Sequence, residues 1–548
     1  MVRENRKVAS QKIINKAKIM EYKLFLYFTE FFAGMSVMAV ELGANRLLAP
    51  YFSSSQIVWT IIIGTIMIAM ALGNIYGGRA ADKNPDPGIF YKRVLVAAVW
   101  IALIPVLGKY VVIGISALMI FAVNHSFLVA ASFVSCIVLF VYPLFLLGTA
   151  TPCLVKYTMN NLEDNGRVIG NMEAFNTVGS IIGTFVPTFI TIPLIGTSVT
   201  FLIFAGILLL LAGSYFLSVG KEVKKVLAAA ACILGCCFIG HEDSFAFWEK
   251  NLVYEGESVY NYLQVKETKE EVILSTNVLF GVQSLYRKDT QLSGMYYDYA
   301  MAALLMLKEE ASKVLVLGMG TGTYATQCMK YFGEIEFTGV EIDGQITTLS
   351  REYFYLPEDI PVVTYDGRAY LNATDEKYDV IMVDAYQDIT IPFQMSTIEF
   401  FTLVKEHLSE DGVLVVNMNM HGMNEENISQ YLADTIAAVF DEVYLVDVQG
   451  ATNRELYASD NPQIHENLVR NSEKINDVDL HRLMKTVCGR MQDYEEGYCI
   501  LTDDLAPVEL LGMRMMDELI QKEVEFIKTI YKEEGLWGVW TILSSLFA

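Results

Sequence analysis

The feature that most constrains the fold is a series of long apolar segments within residues 1–240. A helix that crosses a bilayer needs about 20 predominantly apolar residues. Six segments of about this length and one shorter segment lie at 24–40, 58–76, 94–119, 128–147, 174–195, 201–219 and 226–240. The sequence therefore predicts an N-terminal all-α membrane bundle of six to seven spans over residues 1–240, with the lipid bilayer as a partner.

Basic residues cluster in alternate loops of this half. They lie before the first apolar segment, after the second, and after the sixth, where Lys221, Lys224 and Lys225 occur together. Because cytoplasmic loops carry the excess of Lys and Arg, we expect these regions to be cytoplasmic. Six spans would leave the second half of the chain inside, whereas a crossing by residues 226–240 would place it outside. We expect a multi-pass protein of the plasma membrane with a cytoplasmic second half, and the sequence leaves the crossing of 226–240 open.

Two acidic residues lie in or near the first apolar segment. Glu30 and Glu41 are eleven positions apart, so a rotation of about 100° per residue brings them to nearly the same helix face. Carboxylates within a membrane are costly and normally face the bundle interior. Two interpretations remain open: an ion pair between Glu41 and Arg46 near the interface, and a path for a cation through the bundle.

The charge balance differs between the two halves of the chain. Residues 1–240 contain 18 basic and 10 acidic residues, whereas the rest contains 22 basic and 53 acidic residues. Such an acidic half argues against nucleic acid as a partner, since proteins that bind it need a basic surface. The eight cysteines include no C-x-x-C pair, so neither a metal site nor a disulfide framework is predicted.

The hydrophobic pattern changes after residue 240. Short β-like runs, "YNYLQVKE", "EVILST" and "LFGVQS", predict a small β lobe with a connecting helix over residues 241–311. From residue 312 to 548, five strands alternate with helices: "KVLVLGMG", "EFTGVEID", "PVVTYD", "YDVIMVDAY" and "GVLVVNMN". This alternation predicts a Rossmann-like α/β domain with a mostly parallel sheet.

Polar residues and glycines occupy the ends of these strands, where parallel sheets bind ligands. Gly318, Gly320 and Gly322 follow the first strand of the α/β domain. Glu341 ends the second strand, at the spacing of an acid that accepts ribose hydroxyls, and Asp366 and Asp384 end the third and fourth. The following helix lacks the Lys-Ser/Thr of a phosphate-binding loop. The pattern therefore favours a nucleoside ligand without phosphate, such as S-adenosylmethionine.

Several short motifs resemble those of the spermidine synthases, or aminopropyltransferases, in the membrane-fused form with an N-terminal multi-span domain. The similarity extends from about Tyr254 to Glu509. The family's "Y-Q" pair matches Tyr260-Asn261, its "G-V-x-Q" loosely matches residues 281–283, and its "D-G" matches Asp366-Gly367. The resemblance implies decarboxylated S-adenosylmethionine as co-substrate, no metal, and the following contacts to the co-substrate: Asn261, Gln283, Gly318, Gly320, Gly322, Glu341, Asp366 and Gly367.

Other family motifs concern the acceptor amine. The motif "Y-D-x-I-x-x-D" matches residues 378–384 and assigns Asp384 as the catalytic base, while "Y-H-E" matches residues 296–298. The family's "D-S-x-D-P" reads "DAYQD" here, so that Gln387 replaces its second acid, and the "D-E" before "Y-H-E" is missing. The resemblance implies a small polyamine as substrate, contacted by Tyr296, Tyr297, Asp298, Tyr386 and Asp388.

Three functions remain as hypotheses. The first is a membrane-bound aminopropyltransferase, which converts an amine such as putrescine to spermidine or a related polyamine and releases methylthioadenosine. In that reaction Asp384 would hold the arriving amine and accept its proton. The second is a methyltransferase that uses intact S-adenosylmethionine. The third is a polyamine transporter or sensor with a non-catalytic synthase-like domain. The accepted amine and the assembly, of which a homodimer is one form, stay open.

Overall fold

The computed structural model describes residues 23–52, 55–122, 126–159, 165–240, 244–278, 282–288, 292–386, 391–419, 426–495 and 497–546. The chain divides into two compact units, with the boundary between Phe247 and Trp248. The first unit is helical and the second is an α/β unit. We call them the helical unit and the transferase-like unit.

The helical unit consists of long apolar helices. Its helices are α1 (Lys23–Phe52), α2 (Gln56–Lys83), α3 (Pro87–Ala122), α4 (Phe127–Cys136), α5 (Tyr142–Gly148), α6 (Ala150–Thr158), α7 (Asn165–Val186), α8 (Ile192–Val219) and α9 (Val223–Gly240). Single π-helical turns, Ile137–Val141 and Pro187–Thr191, join α4 to α5 and α7 to α8. Gly196 has non-helical φ and ψ of 81° and 168°, and it separates the predicted fifth and sixth apolar segments.

By length and composition alone, six helical stretches of the described residues could cross a membrane. One of them, Asn165–Val219, contains the break at Gly196, and another is the 18-residue helix α9. Helix α9 begins three residues before the predicted segment 226–240 and is therefore closer to spanning length than the sequence indicates.

Glycines permit close packing of α1 against α7. A Cβ atom at Gly179 would clash with the carbonyl oxygen of Phe31, and one at Gly183 would clash with that of Met35. The two glycines are four residues apart, so they lie on one face of α7. Small residues at such spacing allow the backbones of apolar helices to approach each other closely.

The transferase-like unit begins with a four-stranded antiparallel sheet. Its strands follow in chain order, β1 (Leu252–Glu257), β2 (Tyr262–Glu267), β3 (Glu271–Ser275) and β4 (Ser284–Arg287). The predicted small β lobe is therefore present, and β1 is an additional strand. The buried side chains of Leu263, Val265, Val272 and Leu274 pack against Ile346, Leu349 and Phe354, which lie in or next to a helix of the larger sheet.

An eight-stranded sheet forms the rest of the unit. Its strands are β5 (Lys313–Leu317), β6 (Glu336–Glu341), β7 (Val362–Thr364), β8 (Tyr378–Val383), β9 (Leu408–Met418), β10 (Glu442–Asp447), β11 (Arg454–Ser459) and β12 (Gln492–Asp493). Their order is β12-β10-β11-β9-β8-β5-β6-β7. The five predicted strands, β5 to β9, are parallel, and β10 to β12 pair antiparallel beyond β9. The prediction of a mostly parallel sheet did not include these three strands.

Helices lie between the strands and after them. They are α10 (Tyr296–Ala300), α11 (Ala302–Leu305), α12 (Thr323–Phe332), α13 (Gly344–Tyr353), α14 (Gly367–Ala373), α15 (Ile398–Glu406), α16 (Ile428–Ala437), α17 (Ile464–Ser472), α18 (Val478–Arg490) and α19 (Val508–Leu546). The main buried core joins one face of the sheet to α10, α11, α12, α17 and α18. This core places α10 directly over the strand ends that carry the candidate site.

Candidate active site

The glycine-rich loop after β5 requires glycine at two of its positions for steric reasons. Gly318 has a φ of 88°, and a Cβ there would lie 2.5 Å from the carbonyl oxygen of Asp384. Gly322 has a φ of 74°, and a Cβ there would lie 2.5 Å from Leu356 Cδ1. Gly320 also has a positive φ, of 54°. The loop can thus pass close to the end of β8, because glycine adopts this backbone conformation at little cost.

Glu341, at the end of β6, is tied to this loop. Its Oε2 accepts a hydrogen bond of 2.9 Å from the backbone N–H of Gly320, and its Oε1 accepts one of 3.0 Å from that of Asp343. Burial raises the pKa of Glu341, and the two backbone hydrogen bonds act in the opposite direction. Each carboxylate oxygen has a second lone pair. The geometry therefore leaves Glu341 able to accept hydroxyl groups of a ribose.

Asp343 connects the small sheet to the larger one, and the sequence analysis did not identify it. Its Oδ2 accepts hydrogen bonds from Ser258 Oγ (2.6 Å) and from Asn261 Nδ2 (3.0 Å). Its Oδ1 accepts a bond of 3.1 Å from the backbone N–H of Gln345 and thereby caps α13. The side chain of Asn261, a predicted co-substrate contact, is thus engaged with Asp343. A second link joins Ser284 Oγ and Thr321 Oγ1, which are 2.5 Å apart.

Of the other predicted co-substrate residues, Asp366 and Gly367 lie at the same sheet edge, whereas Gln283 lies beside the small sheet. Asp366 caps α14, since its Oδ1 accepts a hydrogen bond of 2.9 Å from the backbone N–H of Ala369. A Cβ at Gly367 would lie 2.9 Å from Met395 Cε, so a glycine keeps this position compact. Gln283 is half-buried beside β4, and its backbone N–H donates to the carbonyl of Leu274.

Asp384 immediately follows β8 and accepts hydrogen bonds at both carboxylate oxygens. The hydroxyl of Tyr296 donates to Oδ2, and Asn417 Nδ2 donates to Oδ1 at 2.8 Å. Burial raises the pKa of Asp384 to about 7, and the charge of Glu341 adds to the increase. The hydrogen bonds from Tyr296 and Asn417 favour the charged form and oppose this increase. A carboxylate with a pKa near neutral pH is suited to accept a proton from a reacting group.

The three residues matched to "Y-H-E" differ in their placement. Tyr296 contacts Asp384, as described above. The hydroxyl of Tyr297 donates to the carbonyl of Leu285 and accepts from the backbone N–H of the same residue, at 3.2 Å. Asp298 accepts hydrogen bonds from Ser293 Oγ (2.9 Å) and from the backbone N–H of Gly294 (2.6 Å). Tyr297 and Asp298 therefore hold the chain around α10, and each carboxylate oxygen of Asp298 accepts one hydrogen bond from that chain.

Two more predicted amine contacts follow Asp384 in sequence. The hydroxyl of Tyr386 donates to the carbonyl of Asn417 at 2.6 Å and accepts from the backbone N–H of Asn419 at 3.1 Å. Tyr386 therefore joins the end of β8 to the end of β9. Asp388 lies outside the described residues, as does Gly281 of the loosely matched motif. Among the described residues, no group of three or more His, Cys, Asp or Glu could hold a metal ion.

The chain is similar in sequence to known proteins. The sequence profile described as "Spermine/spermidine synthase domain" matches residues 295–449. A protein of Bifidobacterium longum, "Probable polyamine aminopropyl transferase", is 49% identical over 343 residues, which are 59% of this chain and 76% of that protein. The chain belongs to the polyamine aminopropyltransferase family.

More distant members of the family are also similar to this aminopropyltransferase. The "Polyamine aminopropyltransferase" of Vibrio vulnificus is 28% identical over 209 residues, which cover 36% of this chain and 69% of that protein. The solved spermidine synthase of Thermotoga maritima aligns with a TM-score of 0.35 and 19% identity, over 44% of this chain and 88% of that one.

Two further residues of this aminopropyltransferase escaped the sequence analysis. Asn417 lies near the carboxyl end of β9. It could have been found by examining the end of a fifth strand for polar residues, as was done for the first four. Glu455 lies within β11, is fully buried, and belongs to the antiparallel part of the sheet that was not predicted. Its only sequence signal is an acidic residue directly before the short apolar run of residues 456–458.

Proposed function

We propose that this chain is a membrane-bound aminopropyltransferase that uses decarboxylated S-adenosylmethionine and an acceptor such as putrescine. The products would be spermidine or a related polyamine and methylthioadenosine. One observation carries the proposal: Asp384 lies against the glycine-rich loop, fixed by Tyr296 and Asn417, with a pKa raised to about 7.

The chemistry requires a neutral amine in line with the propyl carbon of the co-substrate. The amine nitrogen forms the new bond to that carbon, the carbon–sulfur bond breaks, and its electron pair neutralises the sulfonium. An alkylamine with a pKa of about 10.4 is almost fully protonated at pH 7. Asp384 would hold the ammonium ion on arrival and accept one proton as the new bond forms. Positioning of the two reactants would lower the barrier further.

The residues on the co-substrate side support an adenosyl ligand. Glu341 retains free lone pairs beside the backbone of Gly320, and Asp366 lies at the N-terminus of α14 with its Oδ2 bonded only weakly, at 3.5 Å from Gln394 Nε2. Both carboxylates lie at the carboxyl edge of the parallel strands, where such folds bind nucleosides.

The decisive experiment supplies purified full-length protein with putrescine and either decarboxylated or intact S-adenosylmethionine. We expect methylthioadenosine only from the decarboxylated form. Formation of S-adenosylhomocysteine from the intact form would instead establish a methyltransferase. An Asp384→Asn variant, measured in parallel, controls for contaminating activity.

We propose that the helical unit spans the plasma membrane and that the transferase-like unit faces the cytoplasm. The six candidate helices support the first statement by length and composition. The cluster of Lys221, Lys224 and Lys225 supports the second, because cytoplasmic loops are enriched in such residues. If the break at Gly196 divides Asn165–Val219 into two spans, a cytoplasmic location requires α9 to lie at the interface or to fold back.

A second candidate function, polyamine transport, has support from one residue of the helical unit. Glu30 is fully buried, and its Oε1 accepts hydrogen bonds from Thr151 Oγ1 (2.5 Å) and Asn176 Nδ2 (2.7 Å). Its Oε2 is buried and has no partner among the described residues. An ionisable group within membrane helices is costly and commonly marks a path for ions or protons.

Reconstituted vesicles test the transport function. We expect wild-type protein to move radiolabelled polyamine across the vesicle membrane, and Glu30→Gln to abolish movement while aminopropyl transfer continues. Vesicles of the intact protein that move no polyamine in either direction would leave an anchoring role for the helical unit.

A further inference from the structure

Glu455 is a buried carboxyl group within β11. Its side chain is 0% exposed, and neither of its oxygens has a hydrogen-bond partner within the part of the chain that the structure describes. A polar group in this state costs free energy, and a buried charge costs considerably more. Burial raises the pKa of Glu455, and the charge of Asp384 adds to this increase. The fold alone gives no benefit from a glutamate here, because an apolar residue would avoid the cost.

The sheet places Glu455 in one row with the catalytic carboxylate. In the pairing of β11 with β9, Glu455 lies opposite Asn417, whose side-chain amide donates to Asp384 at 2.8 Å. Alternate residues of a strand share a face. Glu455 therefore lies on the same face as Tyr457, and Asn417 on the same face as Val415, which both belong to the core beneath α10. Asp384, Asn417 and Glu455 thus follow one another across three neighbouring strands at the carboxyl edge of β8 and β9.

Two tyrosines contact this row: the hydroxyl of Tyr296 donates to Asp384, and that of Tyr386 donates to the carbonyl of Asn417. Burial raises the pKa of four tyrosines, and the charge of Glu455 adds to each increase: Tyr296 on α10, Tyr324 on α12, Tyr386 after β8 and Tyr457 on β11. The hydroxyl of Tyr324 is also buried and interacts with the thiol of Cys328, and its oxygen accepts no hydrogen bond from the described residues. Glu455 and Tyr324 therefore both have oxygens in this region that can accept further hydrogen bonds.

The number of these hydrogen-bond acceptors matches the number of N–H donors on a primary ammonium ion. A primary ammonium carries three N–H donors and no acceptor. Two carboxylate oxygens and one phenol oxygen offer three acceptors, and tyrosine rings also attract cations to their faces. A positive charge would favour the ionised form of Glu455, whose burial is otherwise unfavourable.

We propose that Glu455 and Tyr324 bind the remote ammonium group of a diamine acceptor whose reacting amine lies at Asp384. This inference rests on the proposed function, because it concerns the acceptor of the same reaction. Glu455 would thereby select substrates with a second positive charge. It lies outside the motifs that indicate the amine site in the sequence, and the polar atoms of Tyr297 and Asp298 are occupied elsewhere.

The sheet also limits the length of the acceptor. Asp384 and Glu455 are separated by two strand spacings, about 10 Å between their backbones. A short α,ω-diamine can place one nitrogen beside each carboxylate at this separation. We therefore expect the rate to pass through a maximum as the carbon chain lengthens from 1,3-diaminopropane through putrescine to longer diamines.

A comparison of putrescine with n-butylamine tests the inference. The two acceptors have the same carbon chain, and only putrescine carries a second amine. Replacing Glu455 by Gln should lower kcat/KM for putrescine about 10- to 100-fold, as expected when a hydrogen bond to a charged group is lost, and should leave that for n-butylamine nearly unchanged. Tyr324→Phe, which removes one hydroxyl, should lower kcat/KM for putrescine by a smaller factor. Glu410→Gln removes an exposed carboxylate from the opposite end of β9 and serves as the matched control.

An equal effect of Glu455→Gln on both amines, or no effect on either, would overturn the inference. Ligand-dependent thermal unfolding separates this outcome from a failure of the proposed function. Putrescine should raise the Tm of the wild-type protein more than n-butylamine does, and this difference should vanish in Glu455→Gln even if no product forms with either amine. Equal shifts of Tm in wild type and variant would contradict the inference independently of turnover.

Discussion

Asn417 donates a hydrogen bond of 2.8 Å from its side-chain amide to Oδ1 of Asp384, across the pair of parallel strands that ends at the candidate site. Asn417 Oδ1 in turn accepts a bond of 3.0 Å from Asn453 Nδ2, which fixes the orientation of the amide. Because both the nitrogen and the oxygen of the Asn417 amide are hydrogen-bonded, the amide holds the Asp384 carboxylate in one position. A carboxylate with fixed orientation can meet an incoming amine without reorganisation, which lowers the barrier to transfer.

Replacing Asp384 by Asn should abolish most of the transfer while keeping the shape of the site. Loss of a general base typically lowers kcat by about 10²- to 10⁴-fold. Binding of the co-substrate should change no more than a few-fold, because the proposed function assigns Asp384 to the acceptor amine. Rapid-quench measurement of methylthioadenosine gives kcat, and calorimetric titration of the co-substrate gives its dissociation constant. Turnover near the wild-type rate would remove Asp384 from its role as base.

Tyr296→Phe should shift the pH dependence of kcat to higher pH. The hydrogen bond from Tyr296 favours the ionised form of Asp384, so its removal raises the pKa of Asp384 further above about 7. Since the base must be deprotonated, the rising limb of the pH profile should move upward with it. Tyr444→Phe removes a hydroxyl bonded to a different carboxylate, that of Glu442, and should leave the profile in place.

Glu341→Ala should weaken binding of the co-substrate. A lost hydrogen bond to a charged acceptor costs about 1.5–3 kcal/mol, so the dissociation constant should rise at least tenfold. The variant also removes the acceptor of the Gly320 N–H, which should increase hydrogen exchange in the glycine-rich loop. Glu352→Ala on the exposed face of α13 is the matched control. An unchanged dissociation constant would exclude the ribose contact.

Stability of the transferase-like unit without ligands should decrease as the pH rises. Burial raises the pKa of Asp384 to about 7 and that of Asp298 to about 6, from about 3.8 when unfolded. Carboxyl groups with raised pKa contribute full stability below pH 4, and this contribution is lost as the pH passes through 6 and 7. Pulse proteolysis in urea on the full chain should show this decrease, and Asp384→Asn should reduce its slope. A slope that is the same in both proteins would contradict the assignment.

A cysteine introduced at Asp411 should report the side of the membrane on which the transferase-like unit lies. The residue is exposed at the end of the sheet away from the candidate site. On a background without native cysteines, a membrane-impermeant thiol reagent should label it in disrupted cells and leave it unlabelled in intact ones. Labelling in intact cells would place the unit outside and would require α9 to cross the membrane.

The small and large sheets show which strands the sequence patterns were sufficient to predict. Each of the five predicted strands of the α/β domain is present, because buried parallel strands are nearly continuous apolar runs between helices. Strands β10 to β12 are short or carry charged residues, such as Glu442 and Arg454. Their hydrophobic pattern therefore did not distinguish them from loops. Similarly, Gly196 separates two apolar helices that the sequence shows only as neighbouring segments.

The sequence by itself determined the two-part organisation, the glycine-rich loop and the acids that end β6 to β8, because apolar periodicity and strand-end positions are local properties of the chain. Tertiary structure decided what those residues contact. It engaged Asn261 with Asp343, assigned Tyr297 and Asp298 to the support of α10, and placed Glu455 in a row with Asp384. Asn261 and Asp343 are 82 positions apart, and Glu455 meets Asn417 only through antiparallel pairing, so both relationships arise only when strand order and register are fixed. Tyr297 and Asp298 bond to residues within 12 positions, but no periodic pattern in the sequence indicates those contacts.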